Sequence, residues 1–177
     1  MIETPRLTLR PFAPPDAKAL APIADGMGWA GVLLQASGRA DELVQSFIAR
    51  PVHSPCFAVC LKDGSLMGAA SYGTLRGEPV PELGYWLGSA FWGQGYGFEA
   101  AEAVTAHAFA NDCHVLQAEC HFGNEASRRI LTRLGFAPSG TRISTTERPG
   151  ETTQMECFHL TRAVWLAREG QPGQISS

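Results

Sequence analysis

The stretch "FWGQGYGFEAAEA", residues 91–103, sets glycine at 93, 95 and 97 and then runs straight into an alanine-rich segment. Glycine is costly inside helices and strands, whereas alanine is the best helix former. The switch therefore marks a turn that needs bare backbone immediately before a helix. A helix N-terminus carries unpaired N–H groups and about half a positive charge. Small residues leading into it leave room for an anion to approach. The glycines alone fit two readings, a tightly packed strand-to-helix turn and an anion cradle. They match neither the dinucleotide fingerprint, whose last glycine falls later, nor the phosphate loop that ends in Gly-Lys-Ser/Thr.

Working outward, "RLTLRPF" alternates with period two and predicts a first strand. "APPDAKALAPIAD" and "DELVQSFIAR" predict two short helices, with the glycine-rich "GMGWAGVLLQASGR" as a loop between them. "CFAVCLKDGSLMGAASYGTL" reads as a hairpin with a two-residue turn at Asp63-Gly64. "PELGYWLG" reads as a further strand, in which Gly84 predicts a bulge or the close approach of another backbone. The helix after the glycines should end near Asn111-Asp112. "VLQAECHF" should follow as a strand with Leu116, Ala118, Cys120 and Phe122 on its inner face. In "NEASRRILTRLGF", Asn124 caps a helix with apolar positions Ile130, Leu131 and Leu134, and Gly135 closes it. "SGTRISTTERPGETTQMECFHL" predicts a long-looped hairpin, followed by a helix in "TRAVWLARE". This order predicts an α/β domain of the α+β kind, with a largely antiparallel central sheet and helices on both faces. A single domain over 1–168 and a flexible tail over 169–177 are expected.

Composition narrows the function classes. The chain has 177 residues, a net charge of −3 and 45% hydrophobic residues. Such a balance argues against nucleic acid as an obligatory partner, which would need clustered Lys and Arg. The five cysteines form an odd set without a C-x-x-C pair, which predicts reduced thiols in a cytoplasmic protein and neither a disulfide frame nor a metal site. "MIETPRLTLRPF" lacks a signal-peptide pattern and no apolar run reaches membrane-spanning length, so no membrane partner is expected.

A glycine-interrupted strand, an anion-binding turn and a polar strand exit at Asn124 would together suit a long ligand with a diphosphate in its middle. At this point the sequence resembles the GNAT N-acetyltransferases, which bind acetyl-CoA. "WGQGYG" is similar to that family's pyrophosphate loop, Q/R-x-x-G-x-G/A, with Trp92 in the Q/R position. "ELGYWL" before it and "NEASRRILTRLGF" after it resemble the branch that includes the ribosomal-protein N-terminal (alanine/serine) acetyltransferases. The resemblance runs over most of residues 3–165 and is weakest over 22–55.

The resemblance implies a GNAT-like fold and particular roles. The backbone of Tyr85, Trp86 and Leu87 would pair with the pantetheine arm as an added strand. The loop Trp92, Gly93, Gln94, Gly95, Tyr96 and Gly97 would hold the pyrophosphate through its N–H groups. Asn124 would hydrogen-bond the pantetheine, and Ser127 would lie near the cofactor sulfur. Acetyl transfer to an amine needs a neutral amine, a donor to the oxygen and a proton for the departing thiolate. Glu82, at the start of its strand, is the candidate base, directly or through water, and His121 is a minor alternative. Much of the family protonates the thiolate with a tyrosine at the position that is Leu131 here, so Ser127 or water takes that role. Glu99 and Glu125 complement helix dipoles. Arg128 and Arg129 either reach the adenosine phosphate or form a solvated face. His107 reads as a packed or surface residue and not a base, Cys120 reads as core, and Trp29 either lines the acceptor pocket or is core.

The implied activity is transfer of acetyl from acetyl-CoA to a primary amine, a protein N-terminus or a small molecule, by direct attack in a ternary complex. The alternative is a noncatalytic acyl-CoA-binding or sensor module, for which Leu131 speaks. No metal is expected, and the chain would work as a monomer or homodimer. Residues 24–41 and the 145–153 loop are expected to select the acceptor.

Overall fold

The computed structural model describes residues 1–24, 40–74, 79–145 and 151–169. The expected loop around Trp29, most of the 24–41 acceptor segment, the centre of the 145–153 loop and the tail beyond Glu169 lie outside the described residues.

Eight strands form one sheet in the order β1-β2-β3-β4-β5-β6-β8-β7. They are β1 (Ile2–Glu3), β2 (Leu7–Pro11), β3 (Cys56–Leu61), β4 (Leu66–Gly73), β5 (Glu82–Leu87), β6 (Val115–His121), β7 (Ala137–Thr145) and β8 (Thr152–Thr161). Among the described residues every neighbouring pair is antiparallel except β5 and β6. The helices among the described residues are α1 (Asp16–Ala24), α2 (Ala40–Ile48), α3 (Tyr96–Ala110), α4 (Glu125–Leu134) and α5 (Arg162–Glu169). None of the described helices is long and apolar enough to cross a membrane.

Two hydrophobic layers flank the sheet, as the predicted covering of both faces requires. On one face Phe12, Leu20, Leu43, Val44 and Trp86 pack α1 and α2 against the central strands. On the other, α3 lies close to the sheet because it presents small residues: Ala100, Ala101, Val104 and Ala108 are all fully buried. Leu131 and Leu134 of α4 and Trp165 of α5 complete that layer.

Three local expectations change. The β3–β4 turn has three residues, not two. Leu61 N–H bonds the Ser65 carbonyl at 2.9 Å, and Gly64 sits at φ 90°, the left-handed residue that a three-residue loop needs. Gly84 makes no bulge, since β4 and β5 pair without interruption from Gly68↔Leu87 to Gly73↔Glu82. Phe122 does not extend the inner face of β6. The strand ends at His121 and the Phe122 side chain is 64% exposed.

Candidate functional site

The parallel pair β5–β6 is in register at only two places, Glu82↔Gln117 and Leu83↔Ala118. Beyond them β5 stays bonded to β4 as far as Leu87, and β6 stays bonded to β8 as far as His121. The two strands therefore part, and each turns an edge without a partner strand toward the gap. Such an edge can accept an extended chain through main-chain hydrogen bonds. The gap opens into a cleft of about 670 Å³ whose walls include Glu82, Tyr85, Glu119, Asn124, Ser127 and Arg142.

At the far end of β5 a single 3₁₀ turn, Ser89–Phe91, leads into the glycine loop and then α3. Gly93 has φ 75° and Gly95, the N-cap, has φ 81°; a side chain would be strained at either. Gly97 has a different reason. A Cβ there would lie 3.3 Å from Ile130 Cδ1, so its bareness lets α3 pack against α4. No described group accepts from the N–H of Gly93, Gln94, Gly95, Tyr96 or Gly97. The loop thus presents a run of open donors at the positive end of a 15-residue helix, which fits an anionic group such as a diphosphate. The Trp92 ring is 60% exposed, and its indole N–H donates to the Leu87 carbonyl at 2.7 Å, tying the loop to the end of β5. Gln94 donates its side-chain amide to the Ala90 carbonyl at 3.1 Å.

The opposite wall is the start of α4. Asn124 Oδ1 accepts from Ser127 N–H at 3.1 Å, the expected cap, which leaves the Asn124 Nδ2 donor without a partner among the described residues. The Tyr85 hydroxyl reaches across the parted strands and donates to the Ser127 carbonyl at 3.4 Å. Burial pushes that phenol well above its usual range, so it stays protonated. Leu131 is 1% exposed, a core residue.

Carboxylates lie along the cleft floor. Glu82 opens β5 at the point where the strands are still in register. Glu119, two residues past Gln117, is held by Arg142 in a two-point ion pair, with Nη2 to Oε2 at 2.6 Å, and also accepts from the Cys157 thiol at 3.7 Å. This Glu119–Arg142 pair and the Tyr85 hydroxyl were missed in the sequence. The outward alternation of Glu119 in "VLQAECHF" was their one legible signal, because Arg142 comes from a distant strand.

The remaining candidates, Arg129 apart, have structural partners or are buried. His121 is paired with the Thr153 hydroxyl at 3.2 Å. His107 packs edge-on against Phe57, faces the Tyr72 hydroxyl at 3.3 Å, and is shifted by burial toward its neutral form. Arg128 is bound to Glu125 and Arg129 is exposed. Cys120 is buried, and burial pushes its thiol up to about 11. No group of three His, Cys, Asp or Glu among the described residues is placed to hold a metal ion.

Comparison with known proteins agrees with this geometry. The family described as the acetyltransferase (GNAT) domain matches residues 6–137. A GNAT-family acetyltransferase from Bacillus anthracis superposes with a TM-score of 0.73 at 21% identity, over 90% of this chain and 97% of that one. A Vibrio cholerae structure, provisionally assigned as a ribosomal-protein-serine acetyltransferase, gives 0.73 at 24%, over 90% and 96%. A Salmonella typhimurium structure, provisionally assigned as an acetyltransferase and solved with its cofactor acetyl-CoA, gives 0.68 at 20%, over 88% and 93%. The parted strands and the glycine loop thus sit in a chain that belongs to the GNAT acetyltransferase family.

Proposed function

We propose that this chain transfers the acetyl group of acetyl-CoA to a primary amine by direct attack within a ternary complex. The observation that carries the proposal is the parting of β5 and β6 after Leu83 and Ala118, with the open N–H groups of Gly93–Gly97 at its end. Bound there, acetyl-CoA supplies an activated acetyl group and a thiolate leaving group. The N–H groups of the loop hold its diphosphate. The backbone of Tyr85, Trp86 and Leu87 pairs with its pantetheine amides as an added strand, and Asn124 Nδ2 donates to the same arm. Glu82 takes the proton that the amine must lose, directly or through water. The Ser127 hydroxyl hydrogen-bonds the sulfur, and the proton for the thiolate comes from Ser127 or water.

The acceptor enters over the cleft floor, where Glu82, Glu119 and Arg142 lie. A protein N-terminus or a small-molecule amine fits this floor, and the Vibrio cholerae structure's assignment points to the former. A sensor that binds acyl-CoA without turnover is the second reading, favoured by one observation: Leu131 is apolar and sealed in the core.

The test is thiol release from acetyl-CoA across a panel of peptide N-termini and small amines. Turnover is expected on at least one, with Glu82→Gln lowering kcat about 100-fold or more and leaving CoA affinity within twofold. Tight CoA binding without turnover on any amine would select the sensor.

A further inference from the structure

Resting on the diphosphate reading of the glycine loop, we propose that Arg6 is a positioning residue for that anion. Arg6 lies just before β2, far from the loop in sequence, yet it makes four contacts with the loop and the first turn of α3. Its Nη1 donates to the Gln94 carbonyl at 2.9 Å. Its Nε donates to Glu99 Oε2 at 2.6 Å, while its own backbone N–H donates to Glu99 Oε1 at 2.9 Å. Its guanidinium lies 4.4 Å from the centre of the Tyr96 ring. The Thr4 hydroxyl adds a bond to Glu99 at 2.6 Å. The strand edge is thereby buckled onto the first turn of α3.

Two consequences follow from elementary geometry and charge. A trans peptide is planar, and its C=O and N–H point in opposite directions. Drawing the Gln94 carbonyl toward Arg6 therefore turns the Gly95 N–H the other way, out of the buckle and open to an anion. Glycine at 95 suits this as well, because its φ is 81° and a Cβ there would crowd Arg6 Nη2 at 3.3 Å. The second consequence concerns Glu99. It sits in the first helical turn, where its charge favours the helix but would repel an arriving diphosphate. Burial pushes its carboxyl up, but the bonds from Thr4 and from the backbone and side chain of Arg6 outweigh that and hold it below its usual range. Arg6 thus keeps Glu99 ionised for the helix and offsets its charge for the ligand. A fixed N–H direction and a neutralised neighbour are what a preorganised anion site requires.

The experiment is calorimetric titration of the whole chain with CoA, and displacement of CoA by pantetheine, which lacks the diphosphate and nucleotide. In Arg6→Met, CoA affinity is expected to fall about tenfold while the pantetheine displacement constant and the melting temperature change little. Arg6→Lys should recover only part of the loss, because one ammonium cannot serve the Gln94 carbonyl and Glu99 Oε2 together in the fork geometry. If Arg6→Met does not fold, Arg6→Gln gives the same two readings. If the wild type binds CoA no more tightly than pantetheine, the diphosphate reading itself falls. If the wild type strongly prefers CoA but Arg6→Met keeps full CoA affinity, or loses both ligands equally, the Arg6 assignment alone falls.

Discussion

Leu83 and Ala118 are the last residues of β5 and β6 that sit side by side in register, and beyond them the two strands diverge. The divergence has no break in either strand behind it, since each keeps its outer partner to its end. The sheet is split along one seam while both halves remain fully laddered. That gives a cleft bordered by two strand edges with no partner strand beyond Leu83 and Ala118, a form suited to an extended ligand.

Asn124 has two separable duties, because the cap uses Oδ1 and the proposed pantetheine bond uses Nδ2. Asn124→Asp keeps a capping oxygen and loses the donor, so it should retain stability while weakening CoA binding about tenfold. Asn124→Ala should lose both, with about 1 kcal/mol of stability gone. Thermal melts beside CoA titrations check this; equal CoA affinity in Asn124→Asp and wild type would remove Asn124 from the site.

Two of the loop glycines, Gly95 and Gly97, should respond differently to alanine. Gly95→Ala forces a left-handed φ of 81° on a residue with a Cβ, a strain of about 1–2 kcal/mol, and crowds Arg6. Gly97→Ala meets the tip of the Ile130 side chain at 3.3 Å, which can shift, and only touches that of Leu87 at 4.0 Å. Gly95→Ala should therefore weaken CoA binding at least tenfold, and Gly97→Ala by a few-fold at most. Titration of both variants decides, and the reverse order would contradict the loop's assigned role.

Acid stability should depend on Asp16. Arg10 bonds it at 2.7 and 2.8 Å, and this pairing, with a bond from the Ala13 N–H, outweighs burial and holds its carboxyl below the usual range. A carboxylate with a lowered folded pKa stabilises the fold above its unfolded value near about 4, and that stability is lost as pH falls through the folded value. Urea melts of Asp16→Asn should show a deficit of about 2 kcal/mol at pH 7 that shrinks markedly at pH 3. A deficit independent of pH would contradict the pairing.

Thiol chemistry should be slow in the native state. Burial pushes Cys56 up to about 12 and Cys120 up to about 11, and Cys157 is raised by burial and by its neighbour Glu119. A disulfide reagent at pH 8 should modify Cys157 first, since it is the partly exposed one on the cleft floor, and the other four only on unfolding. Mass spectrometry of the modified protein reads this out, and early labelling of Cys120 would contradict its burial.

Much of the architecture was legible because it rests on local signals. The Asn124 cap, the αL glycine at 135 and the alternation of Leu116, Ala118 and Cys120 each fix an element on their own. The glycine loop was legible for the same reason, although the division of labour between Gly93 and Gly95 on one side and Gly97 on the other needed coordinates. What the sequence hid are contacts between distant segments. Arg6 with Gln94 and Glu99, Arg142 with Glu119, and Tyr85 with the Ser127 carbonyl each join strands or helices whose pairing no single-chain pattern specifies. Phe122 misled because alternation carries no mark of where a strand leaves the sheet.

The most direct measurement is a crystal structure of this chain with CoA. The diphosphate oxygens should lie about 3 Å from the backbone nitrogens of residues 93–97, and the pantetheine amides should bridge the edges of β5 and β6 beyond Leu83 and Ala118. Coenzyme bound elsewhere, or a seam that stays closed to it at saturation, would contradict the account.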